Sequence, residues 1–163
     1  MNFAKWISTP IDTGSAAVTF KKQFSATDVC SAVIKISGLG IYEARINGKK
    51  IGRQVLTPGW TSYDHRVQYQ TVDVTDLISE DNILSIGVGP GWAAGTANYQ
   101  HENKLYIDRL CTVASLELTY RDGRVEYIRT DESWDTYSNE VTFSDIYNGE
   151  TIDKTAEEIC YGK

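Results

Sequence analysis

The sequence Tyr42-Glu-Ala-Arg-Ile-Asn-Gly48 decides the fold. Its tyrosine, alanine and isoleucine alternate with polar residues, and alternation of this kind places apolar side chains on one face of a β-strand. The asparagine and glycine follow at once, and this pair tolerates the positive φ angles that a two-residue hairpin turn requires. The stretch therefore predicts a strand that runs into a tight β-hairpin, with the return strand over residues 50–56.

The same alternation recurs in short segments along the rest of the chain. Turn residues separate these segments, and Asp122-Gly123 predicts a second tight hairpin. A helical period is nowhere sustained for more than about ten residues before residue 151. Further strands are predicted over residues 18–24, 30–37, 67–73, 82–88, 110–120 and 125–129. The pattern predicts an all-β fold, an antiparallel β-sandwich or jelly roll.

Two segments rich in glycine and proline are predicted to be loops. Residues 57–63 contain two aromatic side chains. Residues 87–95 are predicted to lack regular structure, and they lead into the polar stretch 96–104. Ahead of the second loop, Thr75 is predicted to cap one short helical turn that points two apolar residues inward.

Length and composition fit one domain. A chain of 163 residues buries roughly two-thirds of its unfolded surface, enough for a core without disulfides. Ten tyrosines against one methionine favour strands, because aromatic side chains suit a half-buried pleated surface. We expect the sandwich over residues 17–150, with a lead-in over 1–16 and a polar exit toward a further domain over 151–163.

Charge and cysteine content exclude several classes of protein. The net charge of −6 disfavours nucleic acid and an anionic membrane as partners. Cys30, Cys111 and Cys160 are widely spaced, so they are predicted to be free thiols rather than a disulfide or zinc framework. No signal-peptide pattern and no apolar run of about 18 residues occur. The chain as given is expected in the cytoplasm, or outside it if a secretion signal has been removed.

Several motifs, taken in order, resemble the amino-terminal β-sandwich module of bacterial α-L-rhamnosidases. The match begins with residues 42–52, 56–63 and 66–77 and extends over most of the chain. Some of its parts, such as a strand ending in Asn-Gly, also occur in sandwich domains of β-galactosidase-like enzymes. The most specific parts are Pro58-Gly-Trp-Thr61, Gly91-Trp92 and Asp145-Ile-Tyr-Asn-Gly-Glu150.

The resemblance implies a galactose-binding-domain-like sandwich that accompanies a separate (α/α)6 barrel carrying the acidic catalytic residues. It implies an accessory domain without catalysis of its own, in a parent enzyme that hydrolyses terminal α-L-rhamnosides. The expected partners are the other domains of that enzyme, with a rhamnose-containing glycan as a further candidate. A free-standing lectin-like protein that binds L-rhamnose is the alternative.

An independent hydrolase is the third alternative. An inverting glycosidase needs two carboxyl groups about 6.5–9.5 Å apart, and no such pair stands out among the 22 acidic residues. Glu43 and Glu150 are the acids most closely tied to motifs, and Glu150 is assigned a structural role in a turn or interface. His65 and His101 lack a partner suggested by sequence, so both are expected to be surface or loop histidines.

Sugar binding uses flat aromatic faces together with amide or carboxylate groups, usually on loops. The two loops supply both, and the candidate carbohydrate-binding residues are Trp60, Tyr63, Trp92, Asn98, Tyr99 and Asn103. The alternative is that the tryptophans pack on the sandwich edge or against the next domain. We favour packing for Trp60 and assign Trp6 and Trp134 to packing as well.

No metal ligand and no other cofactor are predicted. Calcium prefers six to eight oxygen ligands, and the acidic residues are not concentrated in one loop. Some sandwich modules of the resembled family are similar to lectins that bind L-rhamnose with calcium, so calcium is kept as a minor alternative.

Overall fold

The chain folds into two antiparallel sheets that face each other across an apolar core, in a computed structural model that describes residues 4–96 and 102–162. The all-β antiparallel sandwich predicted from the sequence is confirmed. The strands are β1 (Ile7–Ser8), β2 (Val18–Ser25), β3 (Val29–Leu39), β4 (Ile41–Ile46), β5 (Lys49–Lys50), β6 (Gln70–Asp73), β7 (Asp81–Gly89), β8 (Cys111–Tyr120), β9 (Val125–Arg129), β10 (Asp135–Ser138), β11 (Val141–Asp145), β12 (Gly149–Ile152) and β13 (Cys160–Gly162).

The two sheets differ in size and order. The six-stranded sheet runs β13-β10-β2-β7-β4-β5. The five-stranded sheet runs β1-β8-β3-β6, and β9 also pairs with β8. A separate hairpin, β11-β12, stands at the side of the sandwich. The segments predicted as lead-in and exit each add a short strand, because β1 pairs with β8 and β13 pairs with β10.

The core lies between the inner faces of the two sheets. Strand alternation places apolar side chains there, as the sequence predicts for Leu84, Ile86 and Val88 of β7. Burying each aliphatic side chain of this size stabilises the fold by about 1.5–3 kcal/mol. Other fully buried members of the core are Val18, Phe20, Ile34, Ile36, Ile46, Leu116 and Leu118.

The predicted Asn47-Gly48 hairpin is confirmed, but its return strand is short. Asn47 and Gly48 have φ angles of 53° and 76°. The Asn47 side chain also accepts a hydrogen bond from the backbone N–H of Ile83 at 2.9 Å, which ties the turn to β7. The return strand predicted over residues 50–56 is wrong, since β5 ends at Lys50 and a positive φ of 72° at Gly52 turns the chain away.

The segment 87–95 is more regular than predicted. Strand β7 continues to Gly89, and one helical turn, α1 (Gly91–Ala94), follows. Gly91 has a φ of 53°, and a Cβ there would lie 2.5 Å from Cγ1 and 2.9 Å from the backbone nitrogen of Ile41. The prediction of an irregular loop is therefore wrong for Gly91–Ala94, because the glycine allows a helical turn to start directly against β4.

The short helical turn predicted near Thr75 forms as a 3-10 turn over Thr75–Leu77. Leu77 and Ile78 pack against the core, as predicted. The predicted capping role of Thr75 is wrong, because its hydroxyl oxygen accepts a hydrogen bond from the Ala32 N–H at 2.9 Å instead. The Asp73 carboxylate accepts the Thr75 N–H at 2.9 Å in its place.

Of the two tryptophans assigned to packing, one packs within this chain and one does not. Trp134 is 2% exposed, and its indole N–H donates to the Arg129 carbonyl at 2.8 Å. Trp6 is 46% exposed and precedes the two-residue strand β1, so its packing on the sandwich is wrong within this chain, and packing against a next domain stays a prediction. The three cysteines are free, as predicted. Across residues 4–96 and 102–162, no helix is long and apolar enough to cross a bilayer.

The close approach at Gly91 generates a stability prediction. We expect Gly91→Ala to lower the free energy of unfolding by about 3 kcal/mol or more, because a positive φ and a steric clash combine. Gly123→Ala is the matched control, because Gly123 has a φ of 86° but nothing lies within 4 Å of its added Cβ. The control should cost about 1 kcal/mol. Urea unfolding measures both, and equal losses would contradict the packing described for α1.

Candidate functional site

The loop of residues 57–63 is held against strand β4 by two hydrogen bonds to the backbone of Tyr42. The Tyr42 N–H donates to the Thr57 carbonyl at 2.7 Å, and the Thr57 hydroxyl donates back to the Tyr42 carbonyl at 2.6 Å. Residue 57 therefore continues the edge of the six-stranded sheet for one residue, and the aromatic side chains that follow start from a fixed backbone position.

A buried tyrosine hydroxyl links this loop to the other sheet. Tyr42 donates at 2.6 Å to the side-chain oxygen of Gln70 on β6, and the Gln70 amide donates to the Pro58 carbonyl at 3.3 Å. Burial raises the pKa of the Tyr42 hydroxyl well above its usual range, so the group remains a neutral donor. The loop is thus fixed to both sheets.

Trp60 projects from this loop into solvent. It is 67% exposed, so the predicted packing of Trp60 on the sandwich edge is wrong within this chain. The Trp60 carbonyl, by contrast, is held by the Gln68 side-chain amide at 3.3 Å. The indole face is therefore available to a ligand or to another protein surface while its backbone is restrained.

Tyr63 lies partly buried beside Tyr106, with ring centroids 5.1 Å apart and an interplanar angle of 49°. Sequence reasoning selected Tyr63 and missed Tyr106, because 42 intervening residues carry no local pattern that pairs them. Burial, followed by the neighbouring Tyr106, raises the pKa of the Tyr63 hydroxyl. This ring contact joins the loop of residues 57–63 to the segment that contains Tyr106.

The remaining candidate residues follow strand β7. Trp92 is partly buried on α1, and Asn103 is exposed. Asn98 and Tyr99 lie outside the described residues. The Lys104 N–H donates to the Ala94 carbonyl at 3.0 Å, which returns the chain to α1 just before Tyr106. The structure thus brings the loop of residues 57–63, α1 and residues 102–106 to one end of the sandwich.

A concave groove of about 990 Å³ crosses the outer face of the six-stranded sheet. One wall is formed by residues 54–56, and the facing wall by β12 and residues 153–158. The sheet itself forms the floor, whose side chains come from alternate positions of β2, β4 and β7. These floor residues are Thr19, Lys21, Glu43, Arg45, Ser85 and Gly87. The sequence analysis did not identify this groove.

The charged groups on the groove floor neutralise one another. Glu43 forms ion pairs with Arg45 at 2.6 Å and with Lys50 at 2.7 Å, and Lys21 pairs with Glu158. Burial acts to raise the pKa of the Glu43 carboxyl, but the hydrogen bonds from Lys50 and Arg45 prevail and hold it below its usual value. A general acid must hold a proton near neutral pH, so Glu43 is not suited to that role.

Glu150, His65 and His101 are the other residues that the sequence singled out for possible chemistry. Glu150 is exposed on β12, the turn is bonded by Asp145 instead, and the interface role expected for Glu150 stays a prediction. His65 is exposed on its loop, as expected, and His101 lies outside the described residues. Within the described ranges, no three His, Cys, Asp or Glu side chains are arranged to hold a metal ion.

Asp145 organises the hairpin that forms part of the groove wall. One carboxylate oxygen accepts the N–H groups of Tyr147 and Asn148 at 2.9 and 3.0 Å, and the other accepts the Thr96 N–H at 3.1 Å. Burial acts to raise the pKa of the Asp145 carboxyl, but the donors from Thr96, Tyr147 and Asn148 prevail and lower it to about 2. The motif that begins at Asp145 therefore builds a turn and joins it to the segment after α1.

This geometry predicts a strong and pH-dependent effect of Asp145→Asn. We expect a loss of about 2–4 kcal/mol at neutral pH, because the new amide cannot accept all of these bonds. Asp153→Asn is the control, since Asp153 is exposed and its carboxylate accepts hydrogen bonds from the neighbouring Thr155 and Ala156 within its own turn; it should cost less than about 1 kcal/mol.

The pH dependence follows from the lowered pKa. The Asp145 carboxyl has a folded-state pKa of about 2 against an ordinary value of 3.8. Its contribution is therefore present above about pH 4 and is lost as the pH falls toward about 2. Urea unfolding at several pH values should show the difference between the wild-type chain and Asp145→Asn shrinking over that interval. A difference that stays constant would contradict the role of the carboxylate.

Comparison with known proteins gives consistent sequence matches. A family model described as "Alpha-L-rhamnosidase N-terminal domain" matches residues 27–162. An α-L-rhamnosidase of Streptomyces avermitilis is 40% identical over 130 residues, which are 79% of this chain and 12% of that enzyme. One of Alteromonas sp. is 34% identical over 142 residues, 84% of this chain and 15% of that enzyme. The chain spans 12% to 16% of the length of the curated relatives it matches.

Solved structures agree with these matches. Native α-L-rhamnosidase from Aspergillus terreus superposes with a TM-score of 0.88 at 37% identity, over 93% of this chain and 18% of that chain. The Streptomyces avermitilis α-L-rhamnosidase complexed with L-rhamnose gives 0.81 at 39% identity, over 85% and 14%. A lectin from Pleurotus ostreatus in complex with GalNAc gives 0.55 at 19% identity, over 92% and 38%, and this likeness concerns the fold alone.

Proposed function

Since the chain belongs to the family of α-L-rhamnosidase N-terminal domains, we propose that it is a non-catalytic accessory domain of an α-L-rhamnosidase and packs against the other domains of that enzyme. The observation that carries the proposal is the share of the relatives that is matched. A chain equivalent to 12% to 16% of such enzymes leaves most of their polypeptide to hold the catalytic residues.

The chemistry of the domain supports this role. The most motif-bound acid of the groove floor, Glu43, is held ionised between two cations, which suits a structural ion pair rather than proton transfer. The Trp60 side chain, two-thirds exposed on a loop fixed from both sheets, suits contact with another surface. The domain thus offers a rigid scaffold and an exposed aromatic loop.

An activity assay of the chain by itself tests the absence of catalysis. We expect no release of 4-nitrophenol from 4-nitrophenyl α-L-rhamnoside, with the Streptomyces avermitilis enzyme as the positive control. Hydrolysis that purifies with the chain, and that disappears in Glu43→Gln but persists in Glu157→Gln, would contradict the proposal. Glu157 is the control because it is an exposed acid on the groove wall.

A second candidate function is recognition of L-rhamnose by the loop end of the domain. It is favoured by the exposed indole of Trp60, because a flat aromatic face suits the C–H side of a pyranose. Tyr63, Trp92 and Asn103 would supply further contacts, together with Asn98 and Tyr99. In this case the domain would act as a free-standing lectin-like protein or would present rhamnose-bearing glycans to the parent enzyme.

Titration with L-rhamnose tests this candidate. It predicts a saturable change in tryptophan fluorescence, with or without calcium, that is lost in Trp60→Ala and kept in Trp6→Ala. Trp6 is the control because it is also substantially exposed but lies before β1. A site of about −2 to −3 kcal/mol would respond by tens of millimolar sugar, so silence over that range would eliminate sugar binding and leave the accessory role.

A further inference from the structure

Two aliphatic side chains stand in solvent on the wall of the groove. Val55 is 75% exposed and Leu56 is 53% exposed, and Trp60 follows within the same segment. Single exposed aliphatic residues are ordinary on protein surfaces. Three large apolar side chains within six consecutive residues form a concentration that is more typical of a contact surface.

The backbone conformation of Leu56 indicates that this exposure is built into the fold. Leu56 has a φ of 56°, in the left-handed region that a branched, bulky residue rarely adopts. That conformation costs about 1–2 kcal/mol, and the side chain gains little burial within the chain in return. The fold thus keeps a strained backbone at Leu56 while the apolar side chain stays largely exposed. This combination favours a role for Leu56 in contact with a partner.

The segment that carries these side chains is fixed at both ends. On one side, the Ile51 N–H donates to the Ala44 carbonyl at 2.8 Å. On the other, Thr57 is bonded twice to Tyr42, and the Pro58 carbonyl accepts from Gln70. A fixed segment loses little conformational entropy on binding, which makes it an effective docking element.

We propose that residues 54–60, here named the docking loop, are the surface through which this domain contacts the rest of an α-L-rhamnosidase polypeptide. The inference rests on the proposed function and adds the surface that is used. Aliphatic side chains have neither an aromatic face nor polar atoms for sugar hydroxyls, so Val55 and Leu56 fit a protein surface better than a glycan. The partner surface is apolar where it meets the docking loop.

The charge of the facing wall specifies the partner further. Exposed acids outnumber the exposed Lys154 on and beside that wall, and exposed carboxylates at the rim of an interface favour basic groups opposite them. Apart from Glu158, which pairs with Lys21, these acids are Glu150, Asp153 and Glu157 on the wall and Glu140 beside it. The partner segment therefore carries Lys or Arg on the side that faces β12 and residues 153–158.

The test uses one double substitution in two contexts. Val55→Ser with Leu56→Asn removes the apolar contacts, and asparagine tolerates the left-handed conformation at residue 56. Val125→Ser is the matched control, because Val125 is 47% exposed on β9 of the other sheet. Each version is prepared as the free 163-residue chain and as a graft that replaces the matching segment of the Aspergillus terreus α-L-rhamnosidase.

The inference predicts opposite behaviour in the two contexts. In the free chain, the double substitution should leave the thermal midpoint unchanged or raise it by about 2–4 °C, because strain is relieved and little burial is lost. In the graft, it should shorten the half-life of rhamnosidase activity at elevated temperature by at least about fivefold. The Val125→Ser control should change neither quantity.

Each other outcome separates the inference from the function on which it rests. A lower midpoint of the free chain would mean that Val55 and Leu56 stabilise the domain itself, and it would overturn the inference. An active graft whose half-life is unaffected would overturn the proposed contact of the docking loop but leave the accessory role intact.

A concentration-dependent dimer of the free chain that is abolished by the double substitution would assign the docking loop to contact with a second copy of the chain instead. A graft that is inactive even with the unsubstituted chain would count against the proposed function, and the inference would fail with it.

Discussion

The hydrogen bond from the buried Tyr42 hydroxyl to the Gln70 side chain is the interaction on which the functional end of the domain depends. It crosses from β4 of one sheet to β6 of the other, so it fixes the spacing of the two layers at this end. Gln70 then holds the Pro58 carbonyl, and the backbone of Tyr42 holds Thr57. The side chain and the backbone of one residue, Tyr42, thus connect the core, the sheet edge and the loop. A buried polar network of this kind is favourable only when its members are satisfied, and each of these groups has a partner.

The rest of the site is arranged around this end by close packing and by a buried carboxylate. Gly91 allows α1 to begin against Ile41, which sets the position of Trp92 and of the residues that return beside Tyr63. Asp145 gathers the donors of the β11-β12 turn and joins it to Thr96. The groove and its two walls follow from these contacts, and its floor is an ordinary polar sheet face whose charges are paired.

Local patterns in the sequence were sufficient for the sandwich and for its hairpins. Asn47-Gly48 predicted a turn because positive φ angles are a local property, and the alternation in β7 predicted the inward face because strand geometry is local as well. The return strand was predicted to extend to residue 56 and the helical turn at Gly91 was not predicted, since the end of β5 and the start of α1 depend on contacts that only the folded chain makes. Tyr106 and the groove floor were not predicted either, because both depend on contacts between segments that are far apart in the sequence. The motif at Asp145 was recognised as specific, but one of the bonds that explain it joins Asp145 to Thr96, 49 positions away.

The proposed role of the docking loop, fixed from within by Tyr42, is to join this domain to the rest of an α-L-rhamnosidase. Hydrogen–deuterium exchange of residues 54–60 would detect this contact when measured in the free chain and in the chain grafted into the Aspergillus terreus enzyme. We expect slower exchange of these amides in the graft, with no change at the exposed turn of residues 121–124 between β8 and β9. Equal exchange of residues 54–60 in both contexts would contradict it.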